Sequence, residues 1–79
     1  MSEALNKPYY AAFLLDPSDM NRELTPLIIA DATSNESALS FAERRGVEWL
    51  RAQRMDRAIL HIVKDGNHGI FSDHLKAAG

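Results

Sequence analysis

The stretch that decides the fold is AILHIVKDGNHGIF, from Ala58 to Phe71. A strand with one solvated side alternates apolar and polar residues, but the first half of this stretch does not. Its apolar residues are Ala58, Leu60 and Ile62 on one side, with Ile59 and Val63 on the other. Only His61 interrupts the second set. The pattern therefore predicts a strand from Arg57 to Val63 that is apolar on both sides.

The second half of the stretch predicts a tight turn and another strand. Asp65, Gly66 and Asn67 are residue types that tolerate a positive φ, which short hairpin turns require. A short fourth strand then follows from Gly69 to Ser72. We expect the two strands to pair as a hairpin.

Two earlier apolar runs also predict strands. Pro8 to Leu15, PYYAAFLL, is rich in aromatic and aliphatic residues, which suit a pleated surface. Leu24 to Ala32 predicts a second strand, with Pro26 near its start or on an edge because proline cannot donate a ladder hydrogen bond. A loop of about eight residues around Asp16 and Pro17 would let the two strands pair antiparallel. Both runs are apolar on both sides.

The clearest predicted element is a helix within TSNESALSFAERRGVEWLRAQRMD, residues 33–56. Ser34 or Asn35 suits the N-cap, and Glu36 suits the positive end of the helix dipole. About half of the circumference is apolar. The residues of this arc are Leu39, Phe41, Trp49, Leu50, Ala38, Ala42, Ala52 and Gly46. Glycine lowers helix stability by about 1 kcal/mol relative to alanine, so Gly46 on this arc indicates a close approach to the sheet.

These elements predict an α+β fold, with one amphipathic helix packed on a small antiparallel sheet in the order ββαβ and a short fourth strand. We expect a flexible N-terminal tail at residues 1–7, a single domain at residues 8–74 and a C-terminal tail at residues 75–79. One helix covers one side of a sheet. The other side, although apolar, would stay uncovered.

Composition places the chain among ordinary globular domains. It has 79 residues, 46% of them hydrophobic and 25% charged, and no cysteine. The absence of cysteine excludes a disulfide framework. The net charge of -2 argues against broad electrostatic attraction to nucleic acid or anionic membranes. No run is long and apolar enough to span a bilayer, and we expect a cytoplasmic protein without a membrane partner.

Side chains that could carry chemistry do not form a recognisable motif. His61, His68 and His74 lack the compact spacing of a metal-binding pair such as HExxH. No serine lies in a GxSxG turn, and the glycines near residue 66 do not match a nucleotide-binding loop. We therefore expect a protein that is not an enzyme, with no catalytic residues, no cofactor and no metal site.

The uncovered apolar side predicts a small interaction or regulatory module. Exposed apolar patches of more than a few hundred Å² usually mark interaction surfaces, and homodimers are the commonest soluble oligomers. We expect the partner to be a second copy or another protein. Aromatic and large aliphatic residues dominate interface energies, so the candidate contacts are Tyr9, Tyr10, Phe13 and Ile28.

An alternative is a small nucleic-acid-binding protein. Its candidate contacts are Arg44, Arg51 and Arg54 on the solvated side of the helix, with Arg57 just beyond. Glu43 and Glu48 lie among them, and Glu48 forms an i, i+4 pair with Arg44 and an i, i+3 pair with Arg51, of the kind that solvated helices carry. The alternative is therefore the weaker of the two hypotheses.

Overall fold

The computed structural model describes residues 9–66 and 68–77, and these residues form one helix packed on a four-stranded antiparallel sheet. In chain order the elements are β1 Tyr10–Asp16, β2 Asp19–Leu27, α1 Asn35–Gln53, β3 Arg57–Lys64 and β4 His68–Lys76. The strand order across the sheet is β2-β1-β3-β4. The predicted α+β fold is confirmed, and so is the fourth strand.

Two hairpins meet at the centre of this sheet. β1 pairs with β2 across a turn at Pro17 and Ser18, where the carboxylate of Asp16 accepts a hydrogen bond of 2.8 Å from the Ser18 amide. β3 and β4 form the second antiparallel hairpin. The two hairpins join where β1 pairs antiparallel with β3, from Tyr10 opposite Lys64 to Leu15 opposite Ile59.

The second strand occupies Asp19–Leu27 rather than the predicted residues 24–32. Its first five residues are polar or exposed, which an edge strand tolerates because solvent reaches it freely. The connection predicted as a long loop is therefore mostly strand. After Leu27 the chain leaves the sheet, and Ile29 and Ala32 are buried in the core. Pro26 lies on an edge strand, as predicted.

The fourth strand is longer than the predicted Gly69 to Ser72. It runs from His68 to Lys76, and Leu75 is only 8% exposed because it packs under the helix. The domain therefore extends past the predicted boundary at residue 74. The predicted tail at residues 1–7, residues 78–79 of the other predicted tail and the turn residue Asn67 lie outside the described residues.

The first two residues of the turn between β3 and β4 have the predicted positive φ. Asp65 has a φ of 54° and Gly66 a φ of 85°, both in the left-handed region that tight turns use. Asp65 also anchors the start of the sheet, because its amide donates to the Tyr9 carbonyl oxygen at 2.6 Å and its carboxylate accepts from the Tyr9 amide at 3.1 Å.

The helix begins with a capping box. The Ser34 hydroxyl accepts a hydrogen bond from the Ser37 amide, and the Ser37 hydroxyl accepts one from the Ser34 amide. These contacts satisfy two amides that would otherwise lack a partner at the first turn. Of the two predicted candidates for the N-cap, Ser34 and Asn35, the structure has Ser34.

Loss of this cap gives a prediction. We expect Ser34→Ala to lower the free energy of unfolding by about 1 kcal/mol, measured by chemical denaturation. Ser40→Ala is the matched control, because Ser40 is exposed in the middle of the helix and alanine there is at least as favourable. Equal midpoints for the two variants would contradict the capping role.

The helix lies close to the sheet through a stripe of small residues. Its buried residues are Ala38, Ala42, Gly46 and Leu50. A Cβ atom on Gly46 would overlap the Leu75 side chain and would lie 3.5 Å from Cδ2 of Leu14. The close approach predicted at Gly46 is confirmed. The largest fully buried side chains between the two layers are Leu14, Leu50, Leu60 and Ile62.

Candidate interaction surface on the open sheet face

Alternate side chains of the sheet point away from the helix, and we call the surface that they form the open face. Residues directly opposite in a ladder share a face, so the register defines its members. They are Ala11, Phe13 and Leu15 of β1, Glu23 and Pro26 of β2, Ile59, His61 and Val63 of β3, and Ser72 and His74 of β4. No helix lies over this face within residues 9–66 and 68–77.

The two central strands give the open face a mostly apolar centre that also contains His61, and its rim is polar. Phe13 and Leu15 are half-buried, and Ile59 is 5% exposed although it is not part of the core under the helix. The outer strands contribute the exposed residues Glu23 and His74. An apolar centre with a polar rim is the usual composition of a protein interface.

An apolar groove forms one end of the open face. The pairing of β1 with β2 ends at Ala12 opposite Leu27, whereas its pairing with β3 continues to Tyr10. The backbones diverge beyond that point and leave a groove of about 300 Å³, lined by residues 9–13 and 26–30. The exposed side chains Tyr9 and Ile28, 66% and 73% exposed, lie at this groove.

All four residues predicted as protein contacts line this groove. Tyr9, Phe13 and Ile28 belong to its exposed or half-exposed surface. Tyr10 differs, because it is 7% exposed and packs in the core. Its hydroxyl donates a hydrogen bond of 2.9 Å to Oδ1 of Asn35, so it ties the wall of the groove to the first residue of the helix.

The polar residues at the rim of the open face were not predicted from the sequence. Glu23 pairs with Leu15, and His74 pairs with Ile59, so both lie on the open face at the same level of the sheet. The only signal for this placement is the register. The predicted second strand began at residue 24 and so left Glu23 in a loop.

His61 lies at the centre of the open face, between Phe13 on β1 and Ser72 on β4. Its ring is half-buried and extends over the edge strand β4. A Cβ atom added to Gly69 of that strand would lie 3.5 Å from Cε1 of His61. His68 and His74 are exposed. Among the described residues, no three histidine or carboxylate side chains converge on a point where a metal ion would bind.

The structure brings two of the four arginines of the alternative hypothesis together. Arg44 and Arg51 line a shallow depression on the outer side of the helix, together with Glu43 and Glu48. Arg44 lies 5.7 Å from the centre of the Phe41 ring.

The other observations on these arginines concern their places in the fold. Arg51 donates a hydrogen bond of 3.3 Å to the Ala77 carbonyl oxygen. Arg54 is the helix C-cap, with a φ of 58°. Arg57 begins β3, and neither of these last two lines the depression.

No model of a known protein family, no curated protein and no solved structure matches this chain. The open face and its groove are therefore the features of this molecule that bear on its function. The described part of the chain also contains no helix with the length and hydropathy needed to cross a bilayer.

Proposed function

We propose that this protein is a small non-enzymatic interaction or regulatory module that associates through its open face, with a second copy or with another protein. The observation that carries the proposal is the apolar surface of the two central strands on the side that the helix does not cover. A cytoplasmic location, expected from the cysteine-free composition, belongs to the same proposal.

The size of the open face supports this function. Strands of about seven residues span roughly 23 Å, and four strands are roughly 19 Å wide, so the face covers roughly 400 Å² in projection. This area includes the polar residues of the face, so the apolar part is smaller. Exposed apolar patches of a few hundred Å² on a monomer are often functional. Tyr9 and Ile28 extend the apolar surface at the groove.

Phe13 offers the most direct test. A glutamate at this position would place a charge at the centre of the open face, with no effect on the core under the helix. We expect wild-type protein to self-associate in a sedimentation velocity series, and Phe13→Glu to weaken association at least about 100-fold, as for a central contact. Ser40→Glu adds the same charge on the exposed side of the helix and should associate like wild type.

A heterologous partner would leave the purified protein monomeric. A photo-crosslinking amino acid in place of Phe13 then gives covalent adducts in extracts of the native host, whereas the same amino acid in place of Ser40 does not. A monomer that also gives no adducts specific to residue 13 would contradict the proposed function.

Nucleic-acid binding stays an untested prediction. Arg44 and Arg51 share their depression with two glutamates, so no observation on the described residues favours it over the open face. It predicts a salt-dependent mobility shift with mixed RNA or DNA that is lost in the double variant Arg44→Glu, Arg51→Glu. A shift that the double variant retains would exclude the outer side of the helix as the binding surface.

A further inference from the structure

We propose that the occupant of the open face is a second copy of this chain, packed face to face about a two-fold axis that runs parallel to the strands between β1 and β3. This inference rests on the proposed function and deepens it, because it names the partner and its orientation. It follows from the order of residues across the sheet.

The register places the open-face residues in rows that cross the four strands. One row is Glu23, Leu15, Ile59 and His74, in the order β2, β1, β3, β4. The adjacent row is Pro26, Phe13, His61 and Ser72. The first row thus has two aliphatic residues at its centre, a carboxylate at one end and an imidazole at the other.

A two-fold axis parallel to the strands brings each row over itself in reverse order. β2 of one copy then lies over β4 of the other, and β1 lies over β3. In the first row, Glu23 faces His74 of the second copy, and Leu15 faces Ile59 of the second copy. In this row each apolar residue meets an apolar residue, and the acidic group meets the basic one at both ends of the dimer. In the second row the same axis places Phe13 over His61 and Pro26 over Ser72 of the second copy.

A two-fold axis across the strands lacks this complementarity. It would place β2 over β2 with the order of the rows reversed, so that Glu23 would face the apolar groove near Ile28. A carboxylate buried there without a partner would be costly. Pairing of the β2 edges of two copies is also unfavourable, because Pro26 and the bulges of the β1–β2 ladder disrupt that edge. Pairing through β4 would leave the open face uncovered.

The area of the open face bears on the expected affinity of the dimer. Standard interfaces bury about 800 Å² on each partner, and packed sheets cross at about -30°. The open face, at roughly 400 Å² in projection, lies below this range, where weak and transient interfaces are found. We therefore expect a weak dimer, with a dissociation constant of about 100 μM or more.

Charge reversal at the rim tests the orientation. Glu23→Lys places a cation opposite His74 of the second copy, and His74→Glu places a carboxylate opposite Glu23 of the second copy. At about pH 5.5, where histidine side chains carry a positive charge, each substitution opposes like charges at two symmetric exposed sites. We expect either one to weaken the dimer by up to about tenfold. The double variant restores the opposite charges and should associate within about threefold of wild type.

The matched control is Glu43→Lys, which makes the same change of charge on the exposed outer side of the helix and should leave the dimer unchanged. The measurement is the dissociation constant from sedimentation equilibrium at low salt. The rescue should shrink at high salt, because exposed charge pairs are screened.

The outcomes separate this inference from the proposed function. A dimer that Phe13→Glu disrupts but that the double charge variant does not restore would overturn the orientation and keep the function of the open face. A wild-type monomer at all concentrations would overturn the second copy as occupant, and residue-13 adducts would then decide the function. A dimer indifferent to Phe13→Glu would overturn both.

Discussion

Replacing Leu60 by alanine is expected to lower the free energy of unfolding by about 3 kcal/mol, because the truncation leaves a cavity that the neighbours fill only in part. Leu60 lies on a central strand, is fully buried and packs in the core between helix and sheet. A domain of this length has a total stability of about 4–12 kcal/mol. The loss would therefore be a large fraction of it.

The neighbouring residue Ile59 provides the control. It lies on the same strand and is also buried, but it faces away from the helix. Urea denaturation at several protein concentrations should show the same loss for Leu60→Ala at each concentration. The loss for Ile59→Ala should grow with concentration, because a second copy stabilises only the folded chain. A loss below about 1 kcal/mol for Leu60→Ala would contradict its position in the core.

Replacing Gly46 by valine is the second change with a large expected effect, a loss of about 3 kcal/mol. Even one added carbon would overlap the Leu75 side chain, and Cδ1 of Leu27 would be 3.6 Å away on another side. Valine adds two further methyl groups to a well-packed layer, which forces the helix away from the sheet. The gain in helix propensity over glycine is only a few tenths of a kcal/mol.

A double-mutant cycle identifies Leu75 as the origin of this loss. Leu75→Ala removes the side chain that a residue at position 46 would overlap. The double variant should therefore be more stable than the sum of the two single losses implies, by at least about 1 kcal/mol. Ala52→Val, at an exposed position of the same helix, carries only the propensity cost of a β-branched residue. Strict additivity would contradict the proposed overlap.

The sequence predicted those parts of the fold that depend on local patterns. The capping serine, the apolar arc of the helix and the turn at Asp65 and Gly66 are each encoded within a few residues. The strand beginning at Arg57 was predicted within one residue at its far end. The glycine on the apolar arc even indicated how close the two layers lie.

The parts that could not be predicted depend on contacts between distant segments. The polar run from Asp19 to Glu23 forms a strand only because β1 offers it a ladder, and its composition alone favours a loop. Leu75 was predicted to lie in the C-terminal tail. It lies in β4 instead, where it packs under the helix at Gly46. The same holds for the candidate site. Apolar character identified Phe13 and Ile28, whereas the opposed rim residues follow only from register.

The central ladder has a kinetic consequence. The two hairpins are local in the chain and can form early, but β1 and β3 pair residues at least 44 positions apart, as Leu15 and Ile59 show. Closing so long a loop costs entropy before any contact compensates for it. Joining the hairpins is therefore expected to be the slow step of folding. Until it occurs, each hairpin exposes one unpaired edge of a strand that is apolar on both sides, so refolding competes with aggregation at high concentration.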